Sequence, residues 1–85
     1  MGMITRVVPD ADLLNQAGAI AREVAQGPTQ AFGGVKRLLY ATYNNPLYEQ
    51  MEVETAVIAD MSRTADAREG IASFLGKRAP KFSGK

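Results

Sequence analysis

Residues Ala65-Asp-Ala-Arg-Glu-Gly-Ile-Ala-Ser-Phe-Leu-Gly-Lys-Arg-Ala-Pro-Lys-Phe-Ser-Gly-Lys85 decide how this chain folds. Thr64, just before them, suits a helix N-cap, because its hydroxyl can accept an orphan N–H of the first turn. Ala67, Ile71, Phe74 and Leu75 follow at helical spacing and form one apolar face. That stripe places Phe74 in a core. Pro80 has no N–H to donate and prevents the helix from continuing. The stretch therefore reads as a capped amphipathic helix running into a basic, proline-broken tail.

The same pattern recurs upstream. Asp10 is the expected N-cap of a first helix, with Leu13, Leu14, Ala17, Ile20, Ala21 and Val24 on one face. Gly27 ends it, and Pro28 opens a second helix to about Asn44, with Ala31, Phe32, Val35, Leu38 and Leu39 as its stripe. Gly33 and Gly34 lie inside that helix. Each costs about 1 kcal/mol relative to Ala, so the pair is expected where another backbone approaches closely. Asn44-Asn45-Pro46 breaks the chain. A third helix runs from about Pro46 to about Met61, and its apolar residues Leu47, Met51, Val53, Ala56, Val57, Ile58 and Met61 cover more than one face, as in a helix that is either central or shared with a partner. Ile4 to Val8 alternates like a short strand but has no partner strand in the chain, and a lone strand is not stable. The predicted class is all-α: about four amphipathic helices after a short extended N-terminal segment, forming a single domain over residues 1–85.

Composition narrows the chemistry. The chain has 85 residues, no Cys and no His. Thiolate nucleophiles, disulfides and zinc-thiolate sites are excluded, as is the usual general base near neutral pH. No metal site is expected. No apolar run approaches a membrane span and no signal-peptide pattern opens the chain, so a soluble cytoplasmic setting is the default expectation. The net charge of +1 hides an asymmetry, −3 over residues 1–60 and +4 over residues 61–85. Short basic ends are usually solvated, which is the first expectation for the tail; contact with an anion such as phosphate is the second.

Asp66 and Glu69 lie three apart near a helix N-terminus. An acid/base pair is one reading, but favouring the helix dipole and pairing with Arg68 or Arg63 rank above it. Glu49, Glu52 and Glu54 read as a solvated face. Ser62, Ser73 and Ser83 have no base in a recognisable arrangement, and Gly33-Gly34 lacks the spacing of a phosphate loop. No catalytic residue is expected. Six basic residues beside Phe74 and Phe82 form no nucleic-acid motif, so no nucleic-acid partner is expected.

From Asp66 to Lys85 the chain resembles the C-terminal signature of the enoyl-CoA hydratase/isomerase (crotonase) family, D-A-x-E-G-hydrophobic-x-x-F-hydrophobic-x-K-R-x-P-x-F-x-G-basic. Gly2-Met-Ile-Thr-Arg-Val-Val-Pro9 is similar to the strand that leads such proteins out of their catalytic core. Gly27-Pro-Thr resembles a helix start of the family, and Glu49-Gln50 with Glu54 resembles its long helix. Pro28-Thr-Gln-Ala-Phe-Gly33 and the tail look most like the phenylacetate-degradation type of isomerase.

The resemblance implies a C-terminal helical region whose catalytic core domain, with its oxyanion-hole amides and catalytic carboxylates, is absent. It implies homo-oligomers of trimer type, a part in the lid over the acyl group, and no activity from these 85 residues alone. No separate cofactor is implied; a coenzyme A thioester is the family's substrate, held only with the core domain. The F-x-x-K motif carries coenzyme A contacts of the family onto Phe74 and Lys77. An aromatic face suits adenine and a lysine suits a phosphate. For Phe74 the core reading ranks above the ligand contact; for Lys77 the two readings are even. The rival to this implication is an independent helical binding module whose basic tail meets an anionic partner, and salt-sensitive nucleic-acid binding would favour it.

Overall fold

The computed structural model describes residues 2–85. Its elements are helical: a 3-10 turn Asp10–Asp12, then α1 (Leu13–Ala25), α2 (Thr29–Thr42), α3 (Leu47–Ser62) and α4 (Ala65–Leu75). The all-α class holds. Residues 2–9 form no strand.

The helix ends follow local chemistry, with one correction. Thr64 caps α4 as expected. Its Oγ1 accepts the Ala67 N–H at 3.1 Å and donates to the Met61 carbonyl at 2.7 Å, so one hydroxyl joins the end of α3 to the start of α4. Asp10 does not cap α1. It lies inside the 3-10 turn, and no side chain caps that turn or α1. Pro9 at φ −58° and the Asp12 N–H to the Pro9 carbonyl (2.9 Å) form this tighter turn instead.

α2 and α3 form the principal helix pair. Gly34 is buried where they meet, and a Cβ there would stand 3.0 Å from Val57 Cγ1 and 3.7 Å from Met61. Gly33 faces open space. The expectation for the pair therefore holds only at Gly34, and what approaches is a side chain rather than a backbone. At the hairpin end, buried Gln50 donates to the Leu38 carbonyl (3.2 Å) and to Glu54 Oε1 (3.3 Å), and accepts from Asn45 Nδ2 (3.3 Å). One amide thus ties α2, the connecting turn and α3 together.

Among the described residues no hydrophobic side chain is fully buried. The radius of gyration is 16.3 Å, against roughly 12 Å for a compact domain of this length. The accessible surface is 7299 Å², whereas a compact monomer of this mass exposes roughly 4,900 Å². Leu14, Leu39, Tyr40, Tyr43, Leu47, Tyr48 and Ile58 all face outward. The helices are formed, and most of their apolar faces remain uncovered.

Candidate functional site

Ala67 of the α4 sequence stripe is half-buried at the cleft, but the other three residues point the opposite way from what periodicity implies. Ile71, Phe74 and Leu75 are 64%, 83% and 74% exposed. Phe74 is therefore not a core residue within this chain. The covered face of α4 carries Asp66, Glu69, Gly70 and Ser73, and the tail covers it.

The tail is held at three levels along α4. Near the helix end, Arg78 grips Glu69 with both guanidinium nitrogens, Nη1 to Oε1 at 2.6 Å and Nη2 to Oε2 at 2.9 Å. The Lys81 N–H adds a bond of 2.8 Å to Glu69 Oε1. In the middle, the Phe82 ring packs over Gly70, 3.7 Å from where a Cβ would stand, an ordinary van der Waals distance. At the helix start, Asp66, only 4% exposed, accepts the N–H of Ser83 (2.7 Å) and of Gly84 (2.8 Å) and the Ser83 hydroxyl (3.3 Å). Asp66 in turn donates its own N–H to the Lys85 carbonyl at 2.9 Å. The tail also reaches α2, where Gln30 Nε2 donates to the Gly84 carbonyl at 3.1 Å. The solvated-tail expectation is overturned: backbone N–H groups of the tail satisfy two carboxylates, and those carboxylates order it.

Glu69 pairs with Arg78, not with Arg68 or Arg63; Arg63 meets Asp60 at 3.4 Å. The Arg78 fork, then the Lys81 N–H, lower the Glu69 carboxyl from its ordinary 4.5 to about 2. It remains an anion at neutral pH, occupied by its partners, and is poorly suited to act as a general base.

Between Leu75 and the strap, the chain reverses at Lys77. Its φ of 49° is left-handed, a region that usually takes glycine. The Lys77 N–H donates to the Phe74 carbonyl (3.2 Å) and the Arg78 N–H to the Ser73 carbonyl (3.0 Å), the paired bonds of a Schellman helix end. A lysine here costs about 1–2 kcal/mol relative to a relaxed backbone. Phe74 and Lys77 lie one turn apart at this end, both exposed, and Lys77 has no ion-pair partner among the described residues.

An apolar cleft of about 440 Å³ lies between α2, α3 and the strap, walled by Val35, Leu38, Val57, Ile58, Met61 and Phe82. Among the described residues no three His, Cys, Asp or Glu side chains gather as metal ligands, and no helix is long and apolar enough to cross a membrane.

A sequence model of the enoyl-CoA hydratase/isomerase family matches residues 1–85. The chain belongs to that family. It is 40% identical over 85 residues to a probable enoyl-CoA hydratase of Rhodobacter capsulatus, covering all of this chain and 33% of that protein. It is 39% identical over 84 residues to the 1,2-epoxyphenylacetyl-CoA isomerase of Escherichia coli, covering 99% of this chain and 32% of that one. The fold superposes on enoyl-CoA hydratase subunit I of Geobacillus kaustophilus with a TM-score of 0.93 at 33% identity, over 99% of this chain and 33% of the other. The chain spans about a third of the length of these relatives. In this enoyl-CoA hydratase/isomerase family member the D-A-x-E-G and P-x-F-x-G halves of the signature interlock: Asp66 meets Ser83 and Gly84, Glu69 meets Lys81, and Gly70 meets Phe82. The interlock is what sequence reasoning missed, although the two halves of the motif held the signal.

Proposed function

We propose that this chain is the C-terminal helical portion of an enoyl-CoA hydratase/isomerase, acting in subunit assembly and in the lid over the acyl-CoA, and inactive alone. The observation that carries the reading is the uncovered apolar surface. Relative to a compact monomer the excess of total accessible surface is roughly 2,400 Å², whereas each partner of a standard interface contributes about 800 Å². Surface on that scale fits faces that meet the rest of a larger protein and other copies in a trimer-type homo-oligomer.

Phe74 and Lys77 form the edge offered to coenzyme A. An exposed ring can stack on adenine, and an unpaired ammonium can meet a phosphate as a point charge. In the whole protein the thioester would react through an oxyanion-stabilised enolate, with water added or the double bond moved. Near-equal identity to a hydratase and to an isomerase supports a region common to both chemistries. The strap weakens the rival reading of a free basic tail, because Arg78 is already engaged by Glu69.

Sedimentation velocity tests the assembly reading: the 85-residue chain is expected to self-associate with rising concentration. A monomer at every accessible concentration would count against it. The same chain should not hydrate crotonyl-CoA, and enzyme-like turnover would overturn the reading.

A further inference from the structure

We propose that Glu69 is a positioning residue for the Phe74–Lys77 edge, acting by holding the chain on the far side of Lys77. The inference deepens the coenzyme A reading above and rests on it. Lys77 adopts φ 49° without the freedom of glycine. The two helix-end bonds, to the Phe74 and Ser73 carbonyls, satisfy the turn locally. They do not say why a lysine tolerates it.

The closure beyond it does. One residue later, Arg78 is forked onto Glu69, and three residues after that the Lys81 N–H lands on the same carboxylate. Both anchors lie back along α4, so the chain must reverse between Leu75 and Arg78. Glu69 therefore imposes the turn at Lys77 from outside it. It also sorts the two adjacent cations. Sequence alone presents Lys77-Arg78 as equivalent charges; the structure gives Arg78 to Glu69 and leaves Lys77 exposed and unpaired among the described residues. The free group is then a compact ammonium, suited to a single phosphate oxygen, rather than a bidentate guanidinium.

The test uses the isotope-labelled whole protein that carries this chain together with the core domain, coenzyme A as the probe, and Glu69→Gln. Removing a negative charge should by simple electrostatics strengthen binding of an anion. Positioning requires the reverse. We expect the Lys77 backbone signals to leave their left-handed values, and coenzyme A shifts at Phe74 and Lys77 to need about tenfold more ligand, the size of one charge-assisted hydrogen bond. Unchanged Lys77 signals, or unchanged or tighter binding, in Glu69→Gln would overturn the positioning role. Absence of coenzyme A shifts at Phe74 and Lys77 in the unmodified whole protein up to millimolar ligand would overturn the coenzyme A reading and this inference with it, and is seen before any substitution is made. If Glu69→Gln melts α4, the unmodified protein answers the same question. Its Lys77 amide should move as the Glu69 carboxyl titrates in acid; an amide that stays fixed through that titration overturns the role.

Discussion

Gly84 donates its backbone N–H to Asp66 Oδ2 across 2.8 Å, and this bond fastens the tail to the start of α4. The same glycine sits at φ +75°, and a Cβ on it would stand 2.8 Å from Thr29 Oγ1 of α2. Thus a single position joins three segments, and it does so only without a side chain.

Replacing Gly84 by Ala should release the strap. The left-handed backbone alone costs about 1–2 kcal/mol for a residue with a Cβ, and the clash with Thr29 adds to it. Hydrogen exchange at the amides of positions 83 and 84 is expected to quicken while the α2–α3 hairpin amides keep their protection. Equal exchange in the variant would mean that the seam with α2 does not persist in solution.

The adjacent glycines of α2 should separate cleanly. Gly33→Ala meets open space and should stabilise the helix by about 0.5–1 kcal/mol. Gly34→Ala places a Cβ 3.0 Å from Val57 Cγ1, so part or all of that gain is offset by displacing α3. Urea midpoints of the two variants, compared side by side, check this; equal gains would show that the helices are not held at the observed distance.

Acid should loosen the tail through Glu69. Its folded carboxyl is lowered from 4.5 to about 2 by the Arg78 fork and then by the Lys81 N–H. A lowered carboxylate stabilises the fold fully above its unfolded value and loses that contribution as pH falls through its folded value. The loss therefore falls between about pH 4.5 and pH 2. Thermal midpoints should decline across that window in the unmodified chain, and the part due to this pair should vanish in Glu69→Gln. The pair is partly exposed, so added salt should shrink the effect.

Lys77→Gly should stabilise the end of α4 while removing the exposed cation. Glycine adopts φ 49° without the steric cost of a Cβ, roughly 1 kcal/mol in favour of the variant. The coenzyme A shift at Phe74 should weaken in the same variant. A more stable protein that binds coenzyme A less well would mark Lys77 as kept for its ammonium. A variant with unchanged stability and unchanged binding would remove that explanation.

Helix number, order and approximate limits were legible from apolar spacing and from Pro and Gly, because backbone hydrogen bonding within a helix is local. Thr64 was legible for the same reason, since a cap reaches only three residues. Asp10 misled because a short 3-10 turn competes with a capped α-helix for the same N–H groups. The two halves of the C-terminal signature were legible as residues, while their meeting in space was not.

Sequence by itself therefore determined the all-α class, the family, the helix boundaries to within a few residues and the lack of His or Cys chemistry. Tertiary structure alone decided which face of α4 is covered, which of Lys77 and Arg78 remains unpaired, and that the tail is a strap. The physical reason is range: periodicity reports which residues share a face, but not what covers that face. Here the carboxylates of Asp66 and Glu69 draw the tail over the polar side of α4, and Phe74 is left outside.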